Sequence, residues 1–274
     1  MFMQIKNERE NTKYLTLPKS YKDVYPFKIG CTSFIYPDGY AQNVKMLAPY
    51  LDEIELLLFE SAYTSLPSKN EIKKLSLLSN EFDLSYNIHL PIDIFLGDQD
   101  PLLRHHAVET IKKVFDLTAP ISPSTHTLHL SYGEADFEKE RIKRWQERLY
   151  NSIEQLISTG INSEMISIET LTYPLEWVEN ILSNFNLSVC IDLGHLMLQQ
   201  FDMESVFNQY GKRTSIIHLH GVENQKDHLP LDRLSKKKMD IVMGILKRFN
   251  GVVSLEVFSY DHLKDSLTYL EKLW

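Results

Sequence analysis

Two cysteines in 274 residues are too few for a disulfide framework. Both, Cys31 and Cys190, fall inside apolar runs, where reduced core thiols are expected. No apolar run approaches the roughly 18–20 residues needed to cross a bilayer. The N-terminal stretch is too polar for a secretory leader, so a cytoplasmic protein is the expectation. A basic stripe is also missing. Lys and Arg number 29 against 37 Asp and Glu, a net charge of −8, and the densest basic cluster, Lys236 to Lys238, falls in an expected helix. Duplex-DNA binders carry a basic face, so nucleic acid is not the expected partner. The chain has no Gly-x-Ser-x-Gly elbow, no Walker loop and no Cys-x-x-Cys, which leaves serine hydrolase, NTPase and zinc-ribbon chemistry without support. GCTSFIYPDG is not a glycine-rich phosphate loop, which counts against an open doubly wound sheet.

What the chain does have is a repeated pattern. Eight short apolar runs, IGCTSF (29–34), IELLLFE (54–60), YNIHLP (86–91), THTLHLS (125–131), MISIET (165–170), VCIDLGH (189–195), SIIHLH (215–220) and VVSLEVF (252–258), alternate with helix-like stretches. IELLLF reads as apolar almost throughout, as a strand buried on both faces should be. Ser68 with Glu71 has capping-box spacing, Asp100-Pro101 opens a third helix, and Pro174 suits the first turn of a fifth. The segment GVENQKDHLPLDRL reads as a long polar loop. Eight strand–helix units predict an α/β protein, a (β/α)8 barrel over residues 27–274, with 1–26 as an extension across the barrel bottom.

From the third run onward each strand ends on a residue that binds metals or handles protons: His89, His129, Glu169, Asp192 with His195, His218 with His220, and Glu256. Active sites of this fold sit at the C-terminal ends of the strands. Carboxylates converging on one mouth repel unless a cation lies between them, and buried carboxylates without partners are costly. A site for one to three divalent ions is therefore expected, with histidine nitrogens suiting Zn²⁺, Mn²⁺ or Co²⁺. In Asp-Leu-Gly-His, Gly194 is expected to turn the backbone so that His195 faces the same cleft as Asp192. His218 and His220, two apart, share the inner face of their strand, and the spacing does not decide which binds first. His126 alternates away from His129 and should face the helices. His105, His106 and His262 are expected to be structural. Glu169, Glu256 and His228 are the candidate catalytic residues, and Tyr36, Glu60, Tyr132 and Lys226 the candidate substrate contacts.

These strand ends resemble the xylose isomerase-like barrel superfamily, which includes endonuclease IV-type apurinic endonucleases and sugar isomerases and epimerases. VCIDLGHLMLQQFD is similar to the endonuclease IV strand-6 motif, whose Asp and His both bind metal; the resemblance makes Asp192 and His195 ligands and Glu169 a metal-bridging carboxylate. His89, His129, a strand-7 histidine and Glu256 match the remaining positions. The chain departs from that pattern after strand 7, where Lys226 stands two before His228 in place of an aspartate, which puts a third ion in doubt. In the epimerase branch the ligands would be Glu169, Asp192, His220 and Glu256. IGCTSFIYPDGYAQNVKMLAPYLDEIELLLFES, LPS and YNIHLPIDI further resemble the cobamide-remodelling phosphodiesterases of the superfamily. That resemblance implies a metal-dependent phosphodiesterase acting on a corrinoid or similar small molecule. The alternative it leaves is a sugar-phosphate isomerase or epimerase, with abasic-site cleavage third. The oligomeric state stays open.

Overall fold

The computed structural model describes residues 14–134 and 136–274. The central strands are β1 (Lys28–Thr32), β2 (Glu53–Leu57), β3 (Ser85–His89), β4 (His126–Leu128), β5 (Ile166–Glu169), β6 (Ser188–Asp192) and β7 (Thr214–Leu219). A two-stranded hairpin follows, β8 (Gly221–Glu223) and β9 (Lys226–Leu229), and then the last central strand, β10 (Val252–Leu255). The central strands close in the order β1-β10-β7-β6-β5-β4-β3-β2, every pair parallel. This is the expected eight-stranded (β/α)8 barrel.

The helices are α1 (Tyr40–Leu47), α2 (Lys69–Phe82), α3 (Pro101–Thr118), α4 (Lys139–Ser158), α5 (Glu179–Asn184), α6 (Leu193–Leu198), α7 (Met203–Tyr210), α8 (Lys236–Leu246) and α9 (Tyr260–Leu273). Local chemistry starts many of them. The Ser68 side chain accepts from the Glu71 amide at the head of α2, and Asp100 caps α3 with Pro101 in its first turn. Asp202, Ser235 and Ser259 cap α7, α8 and α9 in the same way. In α4 the buried residues Trp145, Leu149, Ser152, Ile153 and Leu156 recur at helical spacing and form its inner stripe.

Strand alternation divides the core. Outward residues such as Ile29, Ile168, Val189, Ile217, Leu219 and Val253 join one large apolar layer between barrel and helices. Inside the barrel the apolar part is small: Cys190, Ile216 and Val252 form a separate cluster. The interior above and around it is polar. Both cysteines are buried and free.

Three local features differ from the sequence reading. Pro174 stands before the helix rather than in its first turn; a 3-10 turn, Leu175–Val178, intervenes before α5. The segment after β7 is not loop throughout: Asn224 and Gln225 both adopt positive φ (51° and 61°), a conformation suited to a tight hairpin turn, and β8 and β9 pair across it. The short helix α6 was not foreseen; it starts immediately at the strand end because Asp192 caps it, accepting from the His195 amide at 2.8 Å.

Residues 14–26 lie against the barrel, and Leu17, Tyr21 and Tyr25 belong to its main core. Leu15 and Thr16 accept from the hydroxyls of Tyr36 and Tyr260, beside the C-terminal ends of β1 and β10. Farther on, Lys22 reaches the carbonyls of Phe82 and Asp83, and the Asp23 amide donates to Asp52, both at the opposite end of the barrel. This stretch therefore runs down the side before passing beneath. The remainder of the expected extension, residues 1–13, lies outside the described residues. No described helix is long and apolar enough to cross a membrane.

Candidate metal centre

Glu169, Asp192, His218 and Glu256 come from four adjacent strands, β5, β6, β7 and the end of β10, and all are buried. His218 Nδ1 lies 3.6 Å from Glu256 Oε2, 3.8 Å from Glu169 Oε2 and 4.0 Å from Asp192 Oδ2. Donors at about 2.0–2.2 Å from a shared divalent ion stand about 3–4 Å from one another. Three of these atoms, Asp192 Oδ2, His218 Nδ1 and Glu256 Oε2, are buried without a hydrogen-bond partner. Orphaned lone pairs of this kind are expensive in a protein interior. A cation among them resolves the cost, so the residues fit a divalent ion.

The neighbours of this set turn its lone pairs inward. His218 Nε2 lies 2.8 Å from Glu55 Oε1, and Ser254 donates to the other Glu55 oxygen at 2.6 Å. A proton on Nε2 would face Glu55 and leave Nδ1 free to ligate, although the two atoms approach without completing a hydrogen bond. His220 is set the opposite way. Its Nδ1 accepts the backbone N–H of His228 at 3.0 Å, so a neutral ring carries its proton on Nε2, 3.3 Å from Asp192 Oδ1. Its Nε2 completes no hydrogen bond there. His218 Nδ1 lies among three carboxylates, and the unpartnered His220 Nε2 beside Asp192 is a candidate ligand as well.

A second set adjoins the first. His89 Nε2 and His129 Nε2 lie 3.2 and 2.8 Å from Glu169 Oε2. His89 Nδ1 points at the Leu90 carbonyl, 3.0 Å away, which fixes its proton there and frees Nε2. His89, His129 and Glu169 could together hold an ion, with Glu169 common to both sets. A third group, His195, His220 and His228, brings one ligand atom each within 4.8 Å of one another. His195 Nδ1 is 3.2 Å from both Glu169 Oε1 and Asp192 Oδ2. Asp227 stands off, its carboxylate 3.9 Å from His228 Nε2 and largely solvated.

The electrostatics follow from burial and charge. Burial pushes the Glu169 carboxyl up, but His129 and His218 outweigh it and hold the group well below the usual range. Asp192 is likewise lowered, with His195 and His220 overcoming burial. Glu256 is the exception: burial, then the neighbouring carboxylates against the single pull of His218, raises it to about 7. His195 rises to about 10, as Asp192 and Glu169 overcome burial. His228 moves down through burial and the adjacent His220, and its Nδ1 faces the Glu256 carbonyl at 3.0 Å. It is therefore a proton acceptor rather than the source of a proton for a leaving group, the role His195 suits better.

Two buried carboxylates of the barrel interior were missed in the sequence, Glu53 and Glu55; Glu55 lies beside His218, whereas Glu53 meets Ser85, Asn87 and Ser124, away from the centre. IELLLF is not a two-faced apolar strand; its inward positions begin with these two carboxylates, both fully buried. Their i,i+2 spacing was the available signal. Gly194 also acts differently than expected. It lies within α6, and a β-carbon there would sit 2.0 Å from His220 Cε1, so its smallness admits the imidazole rather than a turn. The proposed substrate contacts scatter. Tyr36 is buried and its hydroxyl is spent on Leu15; the Tyr132 hydroxyl donates to the Asp136 carbonyl; Lys226 is exposed on β9; Glu60 accepts from Ser65 at the rim. His126 faces the helices as expected, stacked on Phe115 and bonded to Thr118. His262 Nδ1 faces the His228 carbonyl at 3.2 Å, so it braces the hairpin.

A closed parallel barrel with histidines and carboxylates gathered at the C-terminal strand ends is an arrangement that could hold divalent metal. Residues 51–273 match the family described as xylose isomerase-like TIM barrel, and the chain belongs to it. Similar solved structures include a D-tagatose 3-epimerase-like protein (TM-score 0.72, 19% identity, 90% of this chain and 96% of that one). Endonuclease IV from Thermus thermophilus is similar at TM-score 0.65 and 16% identity, over 89% of this chain and 99% of that one. A probable 3-DHS dehydratase from Bacillus anthracis reaches TM-score 0.69 at 15% identity, over 89% and 99%. At these identities the likeness is one of fold. No curated protein sequence matches the chain.

Proposed function

We propose that the protein is a metal-dependent phosphodiesterase acting on a small molecule. The observation that carries this reading is the His89–His129–Glu169 set beside Glu169, Asp192, His218 and Glu256, two ligand groups sharing one carboxylate. A pair of divalent ions would supply charge neutralisation at a phosphoryl group and a more acidic water. In hydrolysis a P–O bond to water's oxygen forms, the P–O bond to the leaving group breaks, and a proton passes to the leaving oxygen. His195 Nδ1 faces the Thr170 carbonyl, Glu169 and Asp192, so Nε2 would carry the proton that passes to the leaving oxygen. His228, whose Nδ1 faces the Glu256 carbonyl, would accept one through Nε2. A corrinoid as substrate rests on the sequence resemblance alone, which runs from the first three strands through IDLGHL and HLHG.

A second reading is a sugar isomerase or epimerase, and the names of the similar structures lean toward it. Glu169 and Glu256 flank the same ligand set, and a carboxyl raised to about 7 suits proton abstraction beside a carbonyl. That chemistry needs one ion and leaves His89 and His129 without a role. Metal analysis with two turnover assays decides. The metal-replete protein is incubated anaerobically with adenosylcobalamin and the products read by mass spectrometry; in parallel, D-tagatose and D-allulose are incubated in D₂O. About two ions per chain with a cleaved phosphodiester supports the first reading. One ion with deuterium at the sugar carbon next to the carbonyl overturns it in favour of the second.

A further inference from the structure

We infer that a cavity beside the metal cleft seats a flat, uncharged or cationic ring carried by the substrate. The cavity, about 360 Å³, opens between the loops that follow β1 and β2. Phe34, Tyr40 and Phe59 line it with Asp38, Glu60 and Ser65, whose carbonyl lies 3.4 Å from the Tyr40 hydroxyl. Its size falls within the range of small-molecule sites.

The walls are apolar because their polar atoms are already used. The Tyr40 hydroxyl donates to the Leu57 carbonyl at 2.9 Å, so only its ring faces the space. Ser65 donates to Glu60 at 2.7 Å, and the Ser33 hydroxyl accepts the Leu57 amide at 3.2 Å. Phe34 meets Tyr40 edge-on at 5.8 Å and Phe59 at 5.5 Å, and it remains 38% exposed. Aromatic walls of this kind take another ring by stacking or edge contact. No Lys, Arg or His lines the cavity, and two carboxylates rim it, so an anionic group is disfavoured there. A sugar phosphate finds neither the donors nor the positive charge it needs.

The cavity joins the catalytic cleft through aromatic contacts. The Phe59 ring lies 6.4 Å from that of His89 and 6.3 Å from Phe258, which is 4.9 Å from His228. A ring seated at Phe34 and a reacting group at the metal ligands would thus lie on either side of Phe59. That the two belong to one substrate rests on the phosphodiesterase reading; the ring site itself does not.

The test uses three naphthalenes, 1-naphthalenemethanol, 1-naphthylmethylamine and 1-naphthoate, with metal-loaded full-length protein, followed by saturation-transfer NMR and calorimetry. The neutral and cationic probes should bind, and the anion at least about tenfold more weakly. Ser65→Phe, which fills the cavity, and Phe34→Ser, which removes a wall, should each weaken the neutral probe at least about tenfold, with circular dichroism and melting confirming the fold. Glu169→Gln should leave its binding unchanged. No binding of the neutral probe, equal binding of the anion, insensitivity to both cavity variants, or loss with Glu169→Gln overturns the inference. The probes carry no phosphodiester, so an enzyme that fails to hydrolyse one can still pass, and a failed ring site leaves the hydrolase reading standing.

Discussion

Replacing Gly194 by Ala sets two effects against each other. Gly194 lies inside α6, where alanine is favoured by up to about 1 kcal/mol. Against this, the new methyl carbon would lie 2.0 Å from His220 Cε1 and 2.3 Å from Nε2. The imidazole has little room to withdraw: it is fully buried, and its Nδ1 is held by the His228 amide at 3.0 Å. Overpacking of this kind costs roughly 1–3 kcal/mol. Displacing His220 from Asp192 removes a hydrogen-bonding contact to a buried charge, worth about 1.5–3 kcal/mol. The clash outweighs the helix gain, and a net loss of about 3 kcal/mol should lower Tm by roughly 6–12 °C.

The same variant reports on the site. His220 holds Asp192 Oδ1 so that Oδ2 faces the metal position. Its displacement should weaken Zn²⁺ or Mn²⁺ binding by about 10–100-fold, the usual effect of losing a group that orients a ligand. Calorimetric melting of the chelator-treated protein gives the first number, and metal titration the second. A variant that melts higher than the parent, by the propensity gain alone, and binds metal equally well would refute the placement of His220 against α6 and its role in holding Asp192.

Further outcomes are expected. Glu55→Leu should weaken metal binding about 10–100-fold by freeing the His218 ring, and Glu55→Gln, which keeps an acceptor for Nε2, should recover part of it; equal losses in both would show that charge, not orientation, is what Glu55 supplies. Glu169→Gln should lower metal occupancy of both ligand sets together and reduce turnover more than about 100-fold; loss of a single ion with the other retained would remove the shared-carboxylate assignment. In metal-free protein, Glu256 raised to about 7 keeps a proton in the folded state that the unfolded chain releases near its ordinary value of 4.5, so its contribution to stability falls as pH rises between those values. Metal takes the deprotonated carboxylate, so the Tm gain on adding metal should grow from pH 5 to pH 8; a gain that shrinks across that interval contradicts Glu256 as ligand. His126 is held down to about 3 by burial, so stability is lost as pH falls below the unfolded value of 6.5. His126→Phe should flatten that acid slope, measured by melting at pH 4 to 7, and leave metal binding unchanged.

How far the sequence could be read depends on how local each feature is. The barrel was legible because each strand is a short run bounded by turn or capping chemistry, as at Ser68, Asp100 and Pro101. The candidate metal ligands stood out because they stand at strand ends. What was hidden depends on partners far away in the chain. Glu55 was passed over in a run read as apolar almost throughout because His218, beside it in the barrel, lies three strands away around the wall and far along the chain. The hairpin after β7 was obscured because its turn uses Asn224 and Gln225 in place of glycine.

The choice between His218 and His220 shows the limit most clearly. Both side chains point into the barrel, as their spacing requires, and both are fully buried. What separates them is which nitrogen keeps the proton, and each proton is placed by a distant group. Glu55 on β2 takes the outer proton of His218 and leaves its inner nitrogen for a cation. The His228 amide, delivered by the hairpin, occupies the nitrogen that His220 would otherwise offer and directs its proton to Asp192. Two histidines two residues apart thereby meet different surroundings: His218 Nδ1 stands among carboxylates, while His220 Nδ1 takes a backbone amide hydrogen. A strand pattern specifies where an imidazole points; the tertiary hydrogen bonds specify what it can do there.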